Sequence, residues 1–413
     1  MLSRTNDRLL IRLGGILAIF VWAGLSHAGR SQAKPENSEQ VSASIVYLGK
    51  RYSEPLPLSL VDPLLDDNGV QGARLGHKNN VGTARILGHH YELEEVVLPG
   101  DGDVVSEARR LLARGQRFFV ADLEPEDLIQ VSSLPSAKDA IIINIRSSAD
   151  RLRNDVCRGN LFHVPPSVAM RMDALAQYFA WKRWRRLLLL KGTTKGDEEF
   201  AAAIRRSARR FGLQIVEERE NKFRAGHRRA EDGHQQIQNR IPQLTQNAPE
   251  HDVIVVADTQ ETFGEYLLFR TSLPRAVAGT HGLVPVAWHI AFEQYGGMQM
   301  QSRFENLAGR KMTERDYFAW LGVRIFGEAL LRSGSADPKT IRDYLLSDKF
   351  VVAAFKGRGL TFRRWNQQLR QPVLLMAARS LISISPQPGF LHPNHLTDTL
   401  GYDEPESGCR FPS

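Results

Sequence analysis

Short acids, hydroxyls and one guanidinium stand where apolar runs of this chain end. Asp122 closes the run 117–123, and Asn144, Arg146, Ser147 and Ser148 close 139–145. Thr193 and Thr194 follow 185–191, and Asp258 and Thr259 follow 251–258. Groups of this kind at strand ends hydrogen-bond a polar small molecule and hold it without breaking a bond. Asp122, Ser147 and Asp258 are equally the residue types that cap a following helix, and both uses stay open. Trp288 adds an aromatic surface that would serve as a cleft wall or as core packing. Reaction chemistry finds no foothold. There is no Gly-x-Ser-x-Gly elbow, no His-Glu-x-x-His and no phosphate loop, and nothing pairs a nucleophile with a base.

Two further groups carry donors. The loop with Asp62, Asp66, Asp67 and Asn68 is acidic, but it lacks the alternating oxygens and central Gly of a calcium loop, so it reads as a turn and helix start. His392 and His395 have usable ligand spacing in a segment with no Cys and no carboxylate before Asp398, so no metal site is assigned and no cofactor is implied.

The elements that must position these residues alternate regularly. Continuous apolar runs at 44–49, 117–123, 139–145, 185–191 and 251–258 predict buried strands. Amphipathic stretches at 69–81, 104–115, 124–133, 167–181, 197–212 and 234–246 predict helices, with Ser167 as a cap and Gly115 and Gly212 as stops. Residues 262–271 are read as a further helix, 276–280 as a strand and 315–334 as a helix. The fold class is α/β, with two doubly wound parallel sheets covered on both faces, built from 44–163 and 164–283. Residues from 383 onward, rich in Pro, Gly and His, are expected to lie over the surface.

The chain has 413 residues, 42% hydrophobic and 24% charged, which is ample for two cores. Its net charge is +8, of which Arg4, Arg8, Arg12 and Asp7 at the start account for two. The other basic residues come in scattered doublets such as Arg205-Arg206 and Arg209-Arg210, spaced along helices without aromatic platforms. They read as solvated helix faces, and nucleic acid is excluded as a partner.

The first 28 residues combine a basic start, the apolar stretch 13–25 and Ser26-His27-Ala28. This is the pattern of a cleavable secretory signal, with cleavage after Ala28 or Ala33, and no Cys follows for a lipid anchor. The apolar stretch is short for a bilayer, so no span is expected in the mature chain. Export to an oxidising compartment makes Cys157 and Cys409 a disulfide candidate, with two free buried thiols as the alternative.

At the level of motifs the chain resembles the type I periplasmic binding proteins. Gly69-Val70-Gln71-Gly72-Ala73, Asn79-Asn80, Gly82 and Leu87-Gly88 are similar to that family's first helix and turn. Cys157-Arg158-Gly159-Asn160-Leu161-Phe162 with Pro166-Ser167 resembles its crossing into the second domain. Ile45-Val46-Tyr47-Leu48-Gly49, 173–178, Phe263-Gly264-Glu265-Tyr266, Phe355-Lys356-Gly357 and Ser385-Pro386-Gln387 look like the subgroup associated with PQQ-dependent alcohol dehydrogenase systems. The signal at 1–28 is followed by the polar stretch 29–43, which reads as a flexible leader. The resemblance implies one domain from 44–163 plus 284–355, a second from 164–283 plus 356–376, and a tail from 377–413. A three-segment hinge would lie near 163–166, 282–286 and 355–361. It implies a non-enzymatic solute-binding protein closing on a small solute, with an ABC permease or a periplasmic dehydrogenase as partner. An accessory or sensor protein docking to a quinoprotein dehydrogenase is the alternative, and a hydrolase ranks below both. The expected ligand residues are Asp122, Arg146, Ser147, Ser148, Thr193, Asp258 and Trp288. One departure stands out. Ala121-Asp122-Leu123-Glu124 replaces the small Ser/Gly turn that holds a ligand carboxylate in amino-acid binders, which sets amino-acid recognition in doubt.

Overall fold

The computed structural model describes residues 40–411 apart from 56, 58, 60, 61 and 223–230, and only the backbone at 231–234. The signal at 1–28 and the leader up to 39 lie outside the described residues.

The first lobe begins with β1 (Ser42–Lys50), α1 (Val70–Ile86), β2 (His90–Leu98), α2 (Val104–Ala113) and β3 (Phe118–Asp122). It continues through α3 (Pro125–Ser132), β4 (Ile141–Asn144) and β5 (Leu161–His163). All five strands are parallel in the order β2-β1-β3-β4-β5. Helix α2 starts where the sequence places it because the Asp103 carboxylate accepts from the amides of Val105 and Ser106, both at 3.0 Å. Its buried residues Val104, Ala108, Leu111 and Leu112 return at helical spacing and cover one face of the sheet.

The second lobe holds α4 (Val168–Lys182), β6 (Arg186–Lys191), α5 (Lys195–Arg210), β7 (Gln214–Glu220), α6 (Glu231–Thr245), β8 (Val253–Ala257), α7 (Leu267–Arg270) and β9 (Ala276–Gly279). Its parallel order is β7-β6-β8-β9. The central strands β6 and β8 bury Leu187–Leu190 and Val253–Ala257 on both faces, which is why they read as unbroken apolar runs.

The chain then returns through β10 (Val284–Val286) to α8 (Gly297–Ala308), α9 (Glu314–Ser333) and α10 (Pro338–Leu345). Helix α9 lies against α1, and Gly72 permits the approach: a Cβ there would fall 1.9 Å from the Asp316 carbonyl oxygen. After β11 (Val352–Ala353), β12 (Gly359–Phe362) and β13 (Leu369–Arg370) comes β14 (Val373–Ala377), flanked by β10 and β15 (Ser380–Ser385) in an antiparallel ribbon. Alternation along β14 divides its side chains. Leu374 and Met376 enter the first lobe's core, and Val373 and Leu375 enter the second's. Leu360, Phe362 and Leu369 still belong to the first core, so the chain leaves it later than 355–361.

Three expectations need correction. Residues 262–271 form a 3-10 turn (Gly264–Tyr266) and the single turn α7, because the Asp258 carboxylate organises the preceding amides. The stretch beyond 383 lies over the surface at 393–396 but is anchored in the interior on either side. Ser385 donates to the Ala174 carbonyl at 2.9 Å, Gln387 N to Gln177 at 3.1 Å, and buried Asp398 pairs with Arg363 and Arg370 at 2.9 and 3.0 Å. Its polar composition matches a polar interface, which has no hydrophobic period to show. Arg206 and Arg210 do not lie on a solvated face. Both clamp the fully buried carboxylate of Asp173 and donate to the Gly401 carbonyl. Cys157 and Cys409 are joined in a disulfide with their Cα atoms 5.6 Å apart.

Candidate functional site

Parallel pairing sets the site. Gly49 on β1 lies opposite Asp122 on β3, and Ala121 lies opposite Asn144 on β4, so the carboxyl ends of three adjacent strands share one edge. In open parallel sheets this edge is where ligands sit. Asp122, 5% exposed, accepts the Tyr47 hydroxyl at 2.8 Å and is approached by Arg146 at 3.3 Å and Arg315 at 3.9 Å. Arg146 spends its three arms on three acids: Nε on Glu124 at 2.9 Å, one terminal nitrogen on Asp122, the other on Glu54 at 2.9 Å. Its guanidinium also stacks 4.8 Å from the Tyr52 ring. Arg315 stands in the first turn of α9, whose start is fixed by the reciprocal Thr313–Asp316 capping box, and it donates to the same Glu54 oxygen at 2.5 Å.

These contacts set the charge states. Burial and the Asp122 carboxylate push the Tyr47 phenol well above its ordinary pKa. Burial opposes the charge on Arg146, but Asp122, Glu124 and Glu54 more than offset it and raise its pKa. Burial also pulls Glu54 upward, and Arg315 and Arg146 win, leaving it below the usual carboxylate value. A cavity of about 390 Å³ opens on this edge. Its polar wall includes Tyr47, Tyr52, Glu54, Asp122, Arg146 and Arg315, with Lys50, Arg51, Asp66 and Asn68 beside them, and Pro57, Leu64, Leu65, Val70 and Val97 give it an apolar side.

Of the expected ligand residues, the structure brings Asp122 and Arg146 together here. Ser147 is buried in the turn after β4: its amide donates to Asn144 at 2.9 Å and its carbonyl accepts from Arg153 at 2.8 Å. The Ser148 carbonyl accepts the Val168 amide at 2.9 Å at the start of α4. Thr193 is exposed at the carboxyl end of β6. Asp258 is 1% exposed and accepts from Thr262 N, Thr262 Oγ1, Phe263 N and Gly264 N at 2.7 to 2.9 Å, so both oxygens serve its own loop. Trp288, 2% exposed, stacks on Tyr317 with centroids 5.1 Å apart and belongs to the first lobe's core. Asp67 and Asn68 bind Arg310 and Thr313 at 3.0 and 2.6 Å, tying the start of α1 to that of α9. Across the lobes, Lys195 on α5 comes within 3.8 Å of Glu126 on α3.

Residue-type reasoning missed Tyr47, Glu54 and Arg315. Tyr47 sits in an apolar strand, where it reads as core. Glu54 lies in a proline-rich loop, and Arg315 is 261 residues from it in the chain.

No protein-family model and no curated protein matches the chain. Solved structures do. It is similar to a branched-chain amino-acid ABC transporter periplasmic ligand-binding protein from Burkholderia xenovorans LB400, at 15% identity over 90% of this chain and 99% of that one, with a TM-score of 0.68. An amino-acid ABC transporter substrate-binding protein from Pseudomonas fluorescens Pf-5 is 12% identical over 90% and 100%, with a TM-score of 0.63. An ABC transporter solute-binding protein from R. palustris, in complex with benzoate, is 10% identical over 90% and 100%, with a TM-score of 0.61. The chain has the two-domain fold of the type I periplasmic binding proteins. Among the described residues, no helix is long and apolar enough to cross a membrane.

Proposed function

We propose that this chain is a periplasmic solute-binding protein, exported through its first 28 residues, that takes a small polar solute at the carboxyl edge of the first sheet and closes the second lobe over it. The observation that carries the reading is the cavity of about 390 Å³ at Asp122, Arg146 and Arg315, at the end of a parallel sheet in a fold shared with ABC-transporter binding proteins. The neighbours in that fold bind amino acids or benzoate, which supports a small organic solute and handover to an ABC permease. The site is a binding site without catalysis, since its charged side chains are committed to one another. The lobes pivot at 163–166 and 282–286 and at the ribbon strand β14, whose side chains serve both cores. The segments similar to the PQQ-linked subgroup support a place beside periplasmic alcohol oxidation, where the solute would be a substrate, product or cofactor of that chemistry.

The test is thermal unfolding of the mature protein against amino acids, aromatic and aliphatic acids, alcohols, aldehydes and quinones. A true solute at 100 times its Kd adds about 2.7 kcal/mol of stability. A flat response across the panel, with a dehydrogenase co-purifying instead, overturns solute binding in favour of a docking role.

A further inference from the structure

The proposed solute site has an occupant already: one of the chain's own carboxylates. Glu54 is carried on the loop after β1, whereas Asp122 ends β3 and Glu124 precedes α3. A single oxygen of Glu54 accepts from Arg146 and from Arg315 at once. The side chains of Glu54 and Glu124 are each 45% exposed and that of Arg146 only 9%, so Glu54, like Glu124, lies on the solvent side of the arginine. It also lines the cavity, next to the apolar side formed by Pro57, Leu64 and Leu65.

We infer that the Arg146–Arg315 pair is a carboxylate site, that Glu54 is its internal stand-in, and that the solute is an organic acid whose carboxylate replaces Glu54 while its apolar body fills the cavity. This deepens the solute-binding reading and rests on it. Charge favours such an exchange over the other options. Asp122, Glu124, Glu54 and Asp66 balance Arg146, Arg315, Lys50 and Arg51 around the cavity, and replacing one carboxylate by another leaves that balance unchanged. An amine brought there would face two guanidiniums. A neutral solute in the place of Glu54 would give nothing in return, leaving Arg146 one partner short and Arg315 with only Asp122 at 3.9 Å. Arginine forks match carboxylate geometry, and the third arm of Arg146 is the one that reaches Glu54 on the cavity wall. A tethered carboxylate competes with a free one at a high effective concentration, so its removal must tighten binding of free carboxylates.

The experiment is chemical rescue. Glu54→Ala is unfolded thermally in increasing acetate and hexanoate, with sodium chloride at matched ionic strength and acetamide as controls. The expected result is a saturable rise in Tm with both acids, at an apparent Kd at least fivefold tighter than for the wild type. Acetamide gives no rise, and the gain disappears in Glu54→Ala combined with Arg315→Gln. An acetate response no larger than that to chloride, or one equalled by acetamide, overturns the inference. Should Glu54→Ala fail to fold, calorimetric titration of hexanoate into Glu54→Gln replaces it. Tighter binding than the wild type supports the exchange, and equal affinity overturns it. The two readings fail separately. Rescue by acetate in a protein that binds no solute from the panel retains the arginine site and removes the transport role. A solute bound equally by wild type and Glu54→Ala retains the role and removes the exchange.

Discussion

Lys356 offers the sharpest quantitative check on the junction between the lobes. The residue is 4% exposed, and its ammonium donates to the Ala287 carbonyl just past β10 and lies 5.1 and 5.7 Å from the ring centroids of Tyr317 and Phe292. Glu314, whose carboxylate binds the Ala287 amide and pairs with Arg171 of α4 at 2.8 Å, is the nearby acid. Burial drives the lysine from its ordinary 10.5 down to about 7, with Glu314 opposing and Arg171 reinforcing the shift. Between those two values the unfolded chain binds a proton that the folded chain does not, so unfolding takes up a proton and stability rises with pH. At 1.36 kcal/mol per unit, integration between pH 7 and pH 9 gives an increase of about 2 kcal/mol from this one group. Lys356→Met keeps the length, removes the titration and should flatten the curve. Urea unfolding of both proteins at pH 7, 8 and 9 yields a difference curve in which all other titrations cancel. The expected difference falls by about 2 kcal/mol across that range, with the variant gaining most at pH 7. Parallel curves would refute the assignment, because they would mean that the folded lysine keeps its ordinary pKa and that the packing around it is wetter than described.

Two further outcomes follow from the way the end of the chain is fastened. The disulfide closes a loop with a sequence separation of 252, for which the chain-entropy relation gives about 5 kcal/mol as an upper figure. Cys157→Ser with Cys409→Ser should lose about 3–5 kcal/mol and abolish any effect of reductant on the calorimetric midpoint, and an unchanged midpoint would sink the claim. Asp173, fully buried, holds Arg206, Arg210, the Ser207 hydroxyl at 2.5 Å and the Gly401 amide at 2.8 Å. Asp173→Asn should cost about 3–5 kcal/mol by leaving two cations short of a partner, and limited proteolysis should then cut near 401. Protection equal to the wild type would show that the tail is held by other contacts.

What was legible in the sequence has a physical dividing line. Strands β4, β6 and β8 announce themselves because central parallel strands need apolar residues on both faces, and the cap Ser167 works within three residues of itself. Asp258 was ambiguous between ligand and cap for the same reason: its donors lie at 262–264, close enough for either use. Contacts made by topology leave no such trace. Arg206 and Arg210 look like a solvated stripe until Asp173 and Gly401 are folded against them. Arg315 reaches Asp122 only because Gly72 lets α9 lie on α1. The departure at 121–124 marks how far strand order could have carried the reasoning. Two acids separated by one leucine at the end of β3 require a cation nearby, since a carboxylate as buried as Asp122 is not left unpaired. Strand β4 is the parallel neighbour of β3, and the first cation past its end is Arg146. Pairing of Asp122 and Glu124 with Arg146 therefore follows from the βαβ order and the residue types once the burial of Asp122 is known. A third acid on that same guanidinium does not follow from them, and that excess of carboxylate over scaffold need is the physical reason to regard Glu54 as an occupant of the site rather than part of its frame.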